Sequence, residues 1–249
     1  MRLPDHIYNA IKPPFAHHAT WHAARLPDRR DMRGPGTEHP DLKGINEAGS
    51  GEQFLRFHRD MVRVFRWIVE HTPGPQFLYT PWPQLPDWLA EIFETKVPGF
   101  LQSAYQEIDR LAVEGTADQL GGFIEATLMN IHPQRNIHNY THREIADYEA
   151  RRFGSTHPGL VDASMRRLDT APHNEHFWGL HGWIDGVFAR WQVAHGETVN
   201  QEPLHPDHSL HSHGHIHAAE IQGVIAPPIV LTPEEDELLF PSLPARHRS

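Results

Sequence analysis

Histidine is the residue on which the chemistry of this chain turns. There are 22 histidines in 249 residues, several times ordinary usage, and no cysteine. Imidazole is the commonest protein ligand for transition metals. The absence of thiols removes disulfides, thiolate metal sites and cysteine nucleophiles from consideration. On a helix, H-x-x-x-H sets two imidazoles on one face, about 5 to 6 Å apart, where they can share an ion. Four such pairs occur: His18 with His22, His138 with His142, His211 with His215, and His213 with His217. Chance alone would yield about two in this composition, so spacing counts only with its context.

Context separates the pairs. The last two lie in EPLHPDHSLHSHGHIHAAE, a polar tract without apolar periodicity that reads as a metal-capturing or merely solvated tail. The first two lie in HHATWHAARL and IHNYTHREIADYEARRF, which have the composition of helices. Two further helices each bring one histidine into an apolar stripe. His58 sits in FLRFHRDMVRVF between Phe57 and Met61, and His181 in FWGLHGWIDGVFARW shares a face with Phe177, Ile184, Phe188 and Trp191. A lone histidine on an apolar face is ordinarily a satisfied core residue. Four helices with six imidazoles, divided three and three, instead suit a pair of metal ions in the core of a bundle. An all-nitrogen ligand set favours copper or zinc over di-iron, which uses Glu-x-x-His with bridging glutamates. The one Glu-x-x-His, Glu202 with His205, falls in the tail. A zinc or mononuclear site remains open at this point.

The elements that must position these residues are helical. In EQFLRFHRDMVRVFRWIVE, residues 52 to 70, Phe54, Phe57, Met61, Val64, Phe65 and Ile68 recur at helical intervals. A proline-rich connector, HTPGPQFLYTPWPQLPDW, follows. WLAEIFETKV and FLQSAYQEIDRLAVE read as two helices divided at Pro98-Gly99, and GGFIEATLMN as a short one ending near Pro133. IHNYTHREIADYEARRF and NEHFWGLHGWIDGVFARWQVA complete the set, while residues 24 to 51 and everything beyond 200 read as irregular. The expected architecture is mainly α: about four core helices around a dinuclear site within residues 1–200, with a His-rich, proline-containing tail from 201 to 249.

Composition sets further bounds. The length allows one substantial core, and 39% hydrophobic with 22% charged residues fits a globular chain. A net charge of -10 argues against nucleic acid or an anionic membrane as the main partner. No apolar run approaches the roughly 20 residues of a membrane span, and the N-terminus lacks the order of a secretory signal. A cytoplasmic location is the expectation.

Four motifs in order resemble a family. IHNYTH, followed about forty residues later by FWGLHGWIDGVF, is similar to the second copper site of the type 3 dicopper proteins, the hemocyanins and tyrosinases. AHHATWH and EQFLRFHRDMVRVF resemble their first site, and the likeness spans roughly residues 15 to 192, closest to the hemocyanin copper domain. It implies that His18, His22 and His58 hold one copper and His138, His142 and His181 the other, with His17 the alternative register to His18. It also implies dioxygen as co-substrate and oxidation or hydroxylation of a small phenol, catechol or o-aminophenol. The alternative within the same resemblance is a non-catalytic carrier of dioxygen or copper.

Three further residues acquire roles from it. Asn139 follows the first ligand of the second site, where tyrosinases use a residue with a buried glutamate to position a water that removes the phenol proton. Glu125 is the nearest upstream carboxylate in an apolar context and so the candidate base. Arg143 matches a substrate-contacting position, and each of these charges has a bland reading as a helix-surface group. Asp185, one turn after His181, is expected either to accept an imidazole N–H or to be solvated. Phe240 is a candidate lid over the entrance. Departures are also present: Asn174-Glu175 replaces the usual Asp-Pro, the link from His22 to His58 is long, no cysteine can form a thioether to a histidine, and the domains flanking arthropod hemocyanin copper domains have no room here.

Overall fold

A computed structural model describes residues 1–37, 39–125, 136–209 and 229–242. The fold is mainly α, and the strand-type pairing among these residues is a single bridge between Arg2 and Asn174. In chain order the helices are α1 (Asp5–Phe15), α2 (His17–Ala24), α3 (Ser50–His71), α4 (Asp87–Lys96), α5 (Phe100–Glu114) and α6 (Ala117–Glu125). They continue as α7 (Ile137–Phe153), α8 (Pro158–Val161), α9 (Glu175–Ala194), α10 (Pro206–Ser209) and α11 (Pro233–Leu239). No helix of the described residues is long and apolar enough to cross a membrane.

The long helix α3 is the axis of the molecule. Its apolar stripe, Phe54, Phe57, Met61, Val64, Phe65 and Ile68, is buried along its length, as the spacing predicts. α6 crosses its start with backbones in contact: a side chain at Gly51 would strike Asp118 and Gly122, and one at Gly121 would strike Gly51. The Asp118 carboxylate also accepts from the Gly51 N–H at 2.8 Å. That close crossing brings the C-terminal end of α6, with Glu125, over the histidine-bearing part of α3.

α9 packs on the other side of α3. Its Trp178 lies flat on Phe65, with ring centroids 3.8 Å apart and 2° between planes, and also meets Phe15 of α1. Asn174 caps α9 through its side-chain oxygen, which accepts from the His176 N–H, while its amide donates to Glu149 of α7 at 2.9 Å. Asn174 therefore does the capping work of a helix start.

Besides the four-residue α8 and α10, two helices were not expected. α1 forms despite Pro13 and Pro14 in its last turn and buries Ile7, Ile11 and Phe15. α11 lies in the tail expected to be irregular, and the Thr232–Glu235 capping box with Pro233 at the first turn starts it. With Phe240, α11 packs against Ala19, Leu26, Ile45 and Leu168 in a small second core. Residues 126–130 of the expected GGFIEATLMN helix and His211, His213, His215 and His217 lie outside the described residues.

Candidate metal centre

The six histidines singled out from spacing converge in the core. His18, His22, His58, His138, His142 and His181 are each at most 3% exposed. They form two halves with matching internal geometry. In the half built by α2 and α3, the His18 and His22 rings are 4.7 Å apart and His22 to His58 is 5.3 Å. In the half built by α7 and α9, His142 and His138 are 4.7 Å apart and His138 to His181 is 5.1 Å. The halves meet where His58 and His181 stack at 4.6 Å.

Second partners repeat the match. His58 and His181 each turn Nδ1 to the carbonyl four residues back, Phe54 at 2.9 Å and Phe177 at 2.7 Å. His18 and His142 turn Nδ1 to two carbonyls of one connecting segment, Leu168 and Met165, both at 2.8 Å. A carbonyl can only accept, so Nδ1 carries the proton in all four rings and Nε2 is left as a lone pair. That is the tautomer and the orienting hydrogen bond of a metal-ligating histidine.

The Nε2 atoms then crowd together with too few protons. His22 and His58 bring Nε2 atoms to 3.3 Å, and His138 and His181 to 3.1 Å. Among the described residues, His18 Nε2, His142 Nε2 and His138 Nδ1 are buried with no hydrogen-bond partner. Buried polar atoms are normally satisfied, so the two orphaned Nε2 lone pairs beside those of His58 and His181 point to a cation as the missing partner. Burial keeps the rings neutral: His18 is lowered to about 3 and His142 to about 4, and the other four fall well below the ordinary value for the same reason. Neutral imidazole is the ligating form. The buried triad His18, His22 and His58 can hold a metal ion, and so can His58, His138 and His181, whose ligand atoms lie within 4.8 Å of one another. His58 thus serves both groupings, and His142 belongs to neither, although its ring is nearer to that of His181, at 5.5 Å, than the His18 ring is to that of His58, at 6.1 Å.

Aromatic rings enclose the site. Phe177 stacks on His181 at 3.8 Å and touches His18 and His142 edgewise, and Trp21 stacks on Phe57 at 3.9 Å with parallel planes. His17 meets Phe57 from 5.8 Å with its ring half-buried, which leaves His18 as the inward residue of the pair. His173 and His176 are half-exposed or only partly covered and lie outside the cluster, His173 turning Nδ1 to the Asp162 carbonyl at 3.0 Å.

The other expected residues find different partners. Glu125 is buried, but its two oxygens are held by Arg25 at 2.5 and 2.8 Å, with the nearer one 3.9 Å from His22 Nδ1. Burial raises its carboxyl above the ordinary value, and the Arg25 charge and hydrogen bonds oppose that rise. Asn139 does reach Glu125, through a 3.4 Å bond from its amide to the backbone carbonyl and not to the carboxylate. Arg143 turns away from the histidines and donates to Glu237 at 2.9 Å and to the Phe240 carbonyl at 2.7 Å. Asp185 accepts from Arg59 and Gln201, so it orients no imidazole of the cluster. Phe240 does lie over the site, its ring 6.0 Å from that of His142.

Sequence reasoning missed Arg25, the fully buried partner of Glu125. Its donors also reach Ser50 and Lys43 carbonyls, and its guanidinium lies over Trp21 at 4.3 Å. The signal was its place three residues after His22 on the same helix end. No protein-family model matches the chain, and no curated protein matches it.

Proposed function

We propose that the six-histidine centre holds two copper ions and that the protein is a type 3 dicopper oxidase or monooxygenase acting on a small phenol, catechol or o-aminophenol. The observation that carries this reading is the pairing of two histidine triads with matched geometry and orphaned Nε2 lone pairs, reached from the four motifs that resemble the family. His18, His22 and His58 would hold one ion and His138, His142 and His181 the other. When bound, the copper pair would supply the two electrons that dioxygen chemistry needs.

The chain's own groups do the rest. The four Nδ1–H to carbonyl bonds fix ring orientation, so the Nε2 set is organised before metal arrives. Phe177, Phe57 and Trp21 exclude water and keep the imidazoles neutral. The Arg25–Glu125 pair places a carboxylate near the outer nitrogen of His22, where it favours a proton on that nitrogen. With both oxygens engaged by Arg25, Glu125 acts in this reading on His22 and not as a free base, while Asn139 anchors the end of α6.

The covering of His142 by Phe240, with Arg143 already paired, favours a second reading: a carrier whose site admits only a small ligand such as dioxygen. One experiment separates the two. The full chain is loaded with copper, metal per chain is measured, electron paramagnetic resonance is recorded, and oxygen uptake is followed with a panel of phenols and o-aminophenols. Two coppers per chain, silent in resonance through coupling, with uptake on at least one substrate support the oxidase. Two coupled coppers without turnover support the carrier, and one copper or none overturns both. His181→Ala must lose the coupled pair for the site to be correctly placed.

A further inference from the structure

α9 has a second working face. Turned away from the histidines, Gly182, Trp183 and Gly186 form the floor of a cavity of about 830 Å³, walled by Tyr79, Trp82 and Tyr105 with Arg66 at its rim. That size lies within the range of small-molecule sites, roughly 300 to 1,000 Å³.

The walls are fixed from both sides. The Tyr79 hydroxyl donates to the Trp178 carbonyl at 3.2 Å, the Trp82 N–H to the Gly179 carbonyl at 3.3 Å, and the Leu85 N–H to the Tyr105 hydroxyl at 3.1 Å. The strap of residues 79 to 85 can lie flat on α9 only because Gly179 and Gly182 have no side chain: a Cβ at either would strike Trp82 or Tyr79. One turn further, Gly186 is different. Among the described residues nothing lies within 4 Å of where its Cβ would be, so the helix backbone is bare at the cavity floor. Trp183 is buried at the floor, edge to face with Tyr105 at 6.0 Å and 62°, and the partly exposed rings of Tyr79, Trp82 and Tyr105 are those a flat ring can meet.

Charge selects the occupant. Asp185 at the floor is neutralised by Arg59 and receives a further bond from Gln201, and Asp109 at the rim pairs with Arg190 at 2.7 Å. Arg66 donates to the Gln201 carbonyl, and among the described residues no carboxylate lies within ion-pair distance of it. The uncompensated charge in the cavity is therefore positive, carried by a planar donor fork suited to a carboxylate.

We propose that this cavity binds a flat aromatic carboxylate of about two fused rings, its ring system against Trp82 and Tyr105 and its carboxylate on Arg66. The site is separate from the histidine cluster and stands whichever metal that cluster holds.

Isothermal titration calorimetry on the full chain tests it with naphthalene-2-carboxylate, the corresponding neutral carboxamide, and 2-naphthyltrimethylammonium. The carboxylate should bind, the carboxamide at least about tenfold more weakly, and the ammonium not at all. Gly186→Leu puts a side chain into open space on a helix that tolerates it better than glycine, so fold and metal content should persist while carboxylate affinity falls at least about tenfold. Arg66→Gln should bring the carboxylate to the level of the carboxamide. Equal binding of all three probes, no binding of any, or undiminished binding to Gly186→Leu would each overturn the proposal.

Discussion

The two halves of the histidine cluster are alike inside and unlike outside. Ring for ring, His18, His22 and His58 correspond to His142, His138 and His181, down to the Nδ1 bonds that orient four of them. Behind the first half stands the Arg25–Glu125 ion pair, fully buried and locked to α3 and α6. Over the second half lies α11 with Phe240, held by ion pairs nearer the surface: Arg29 with Glu235, Arg143 with Glu237, and Arg166 with Asp236. Similar imidazole spacing thus rests on a buried ion pair on one side and on a short helix near the surface on the other.

What the halves share governs the largest expected effect, which is acid unfolding of the metal-free chain. All six rings are neutral when folded, with values depressed below the ordinary 6.5, as far as about 3 for His18 and about 4 for His142. Above that ordinary value neither state takes a proton, and stability is unaffected. Below it the unfolded chain takes up protons that the folded chain refuses, so stability falls with pH until the folded values are reached. Each ring costs about 1.4 kcal/mol per pH unit, and six together cost about 8, comparable to the 5 to 15 kcal/mol that holds a domain together. Denaturant midpoints measured from pH 7.5 downward should collapse near pH 5, and bound metal should move the collapse lower. A flat profile to pH 4 would mean that the rings are protonated or solvent-reached when folded.

Difference enters with the buried pair. Glu125→Ala leaves Arg25 as an unpaired buried charge and should destabilise the chain by about 3 to 5 kcal/mol, read from equilibrium unfolding. Adding Arg25→Met should restore most of it, because an apolar replacement of similar shape removes the stranded charge. If the double variant is no better than the single one, the pair is not the support described for the first half.

The lid should behave oppositely. Phe240→Ala removes a buried ring from the small second core where α11 meets Ala19, Leu26, Ile45 and Leu168, apart from the main core, so the loss is limited by the cost of releasing α11. The expected change is kinetic: transfer of bound metal to a chelator about tenfold faster, with metal stoichiometry unchanged. Hydrogen exchange should show α11 amides opening well before those of α3 and α9. Equal protection of α11 and α9 would remove the contrast between the halves.

How much of this was legible in the sequence follows the same division. The buried bundle was readable because burial leaves a periodic trace: residues 100–114 and 137–153 form helices over the expected bounds, His58 and His181 share stripes with phenylalanines, and the other four histidines stand at H-x-x-x-H spacing. α11 was missed because its neighbours are polar and proline-rich, although Thr232-Pro-Glu-Glu235 carries a complete helix start. α1 was hidden by two prolines in its last turn, where α1 is already ending. Arg25 had only its place beside His22 to mark it, and nothing near Glu125, Arg143 or Asp185 in the sequence named their partners. Arg25 is 100 residues from Glu125 and Arg143 is 94 from Glu237, and spacing along one helix says nothing about a charge arriving from another.

Arg143→Gln is the smallest effect and the sharpest test of the role first expected of that residue. Its ion pair with Glu237 joins a largely buried guanidinium to a carboxylate that is 58% exposed, and such pairs contribute about 0 to 1 kcal/mol. If Arg143 merely latches α11, the variant should lose less than about 1 kcal/mol, accelerate metal transfer in the same direction as Phe240→Ala, and treat carboxylate-bearing and neutral phenols alike. A selective rise in KM for carboxylate-bearing phenols, with metal transfer unchanged, would instead return Arg143 to substrate recognition. The Glu237 and Phe240 bonds both use Nη1, so Nε and Nη2 would be the donors to such a carboxylate, with the latch still closed.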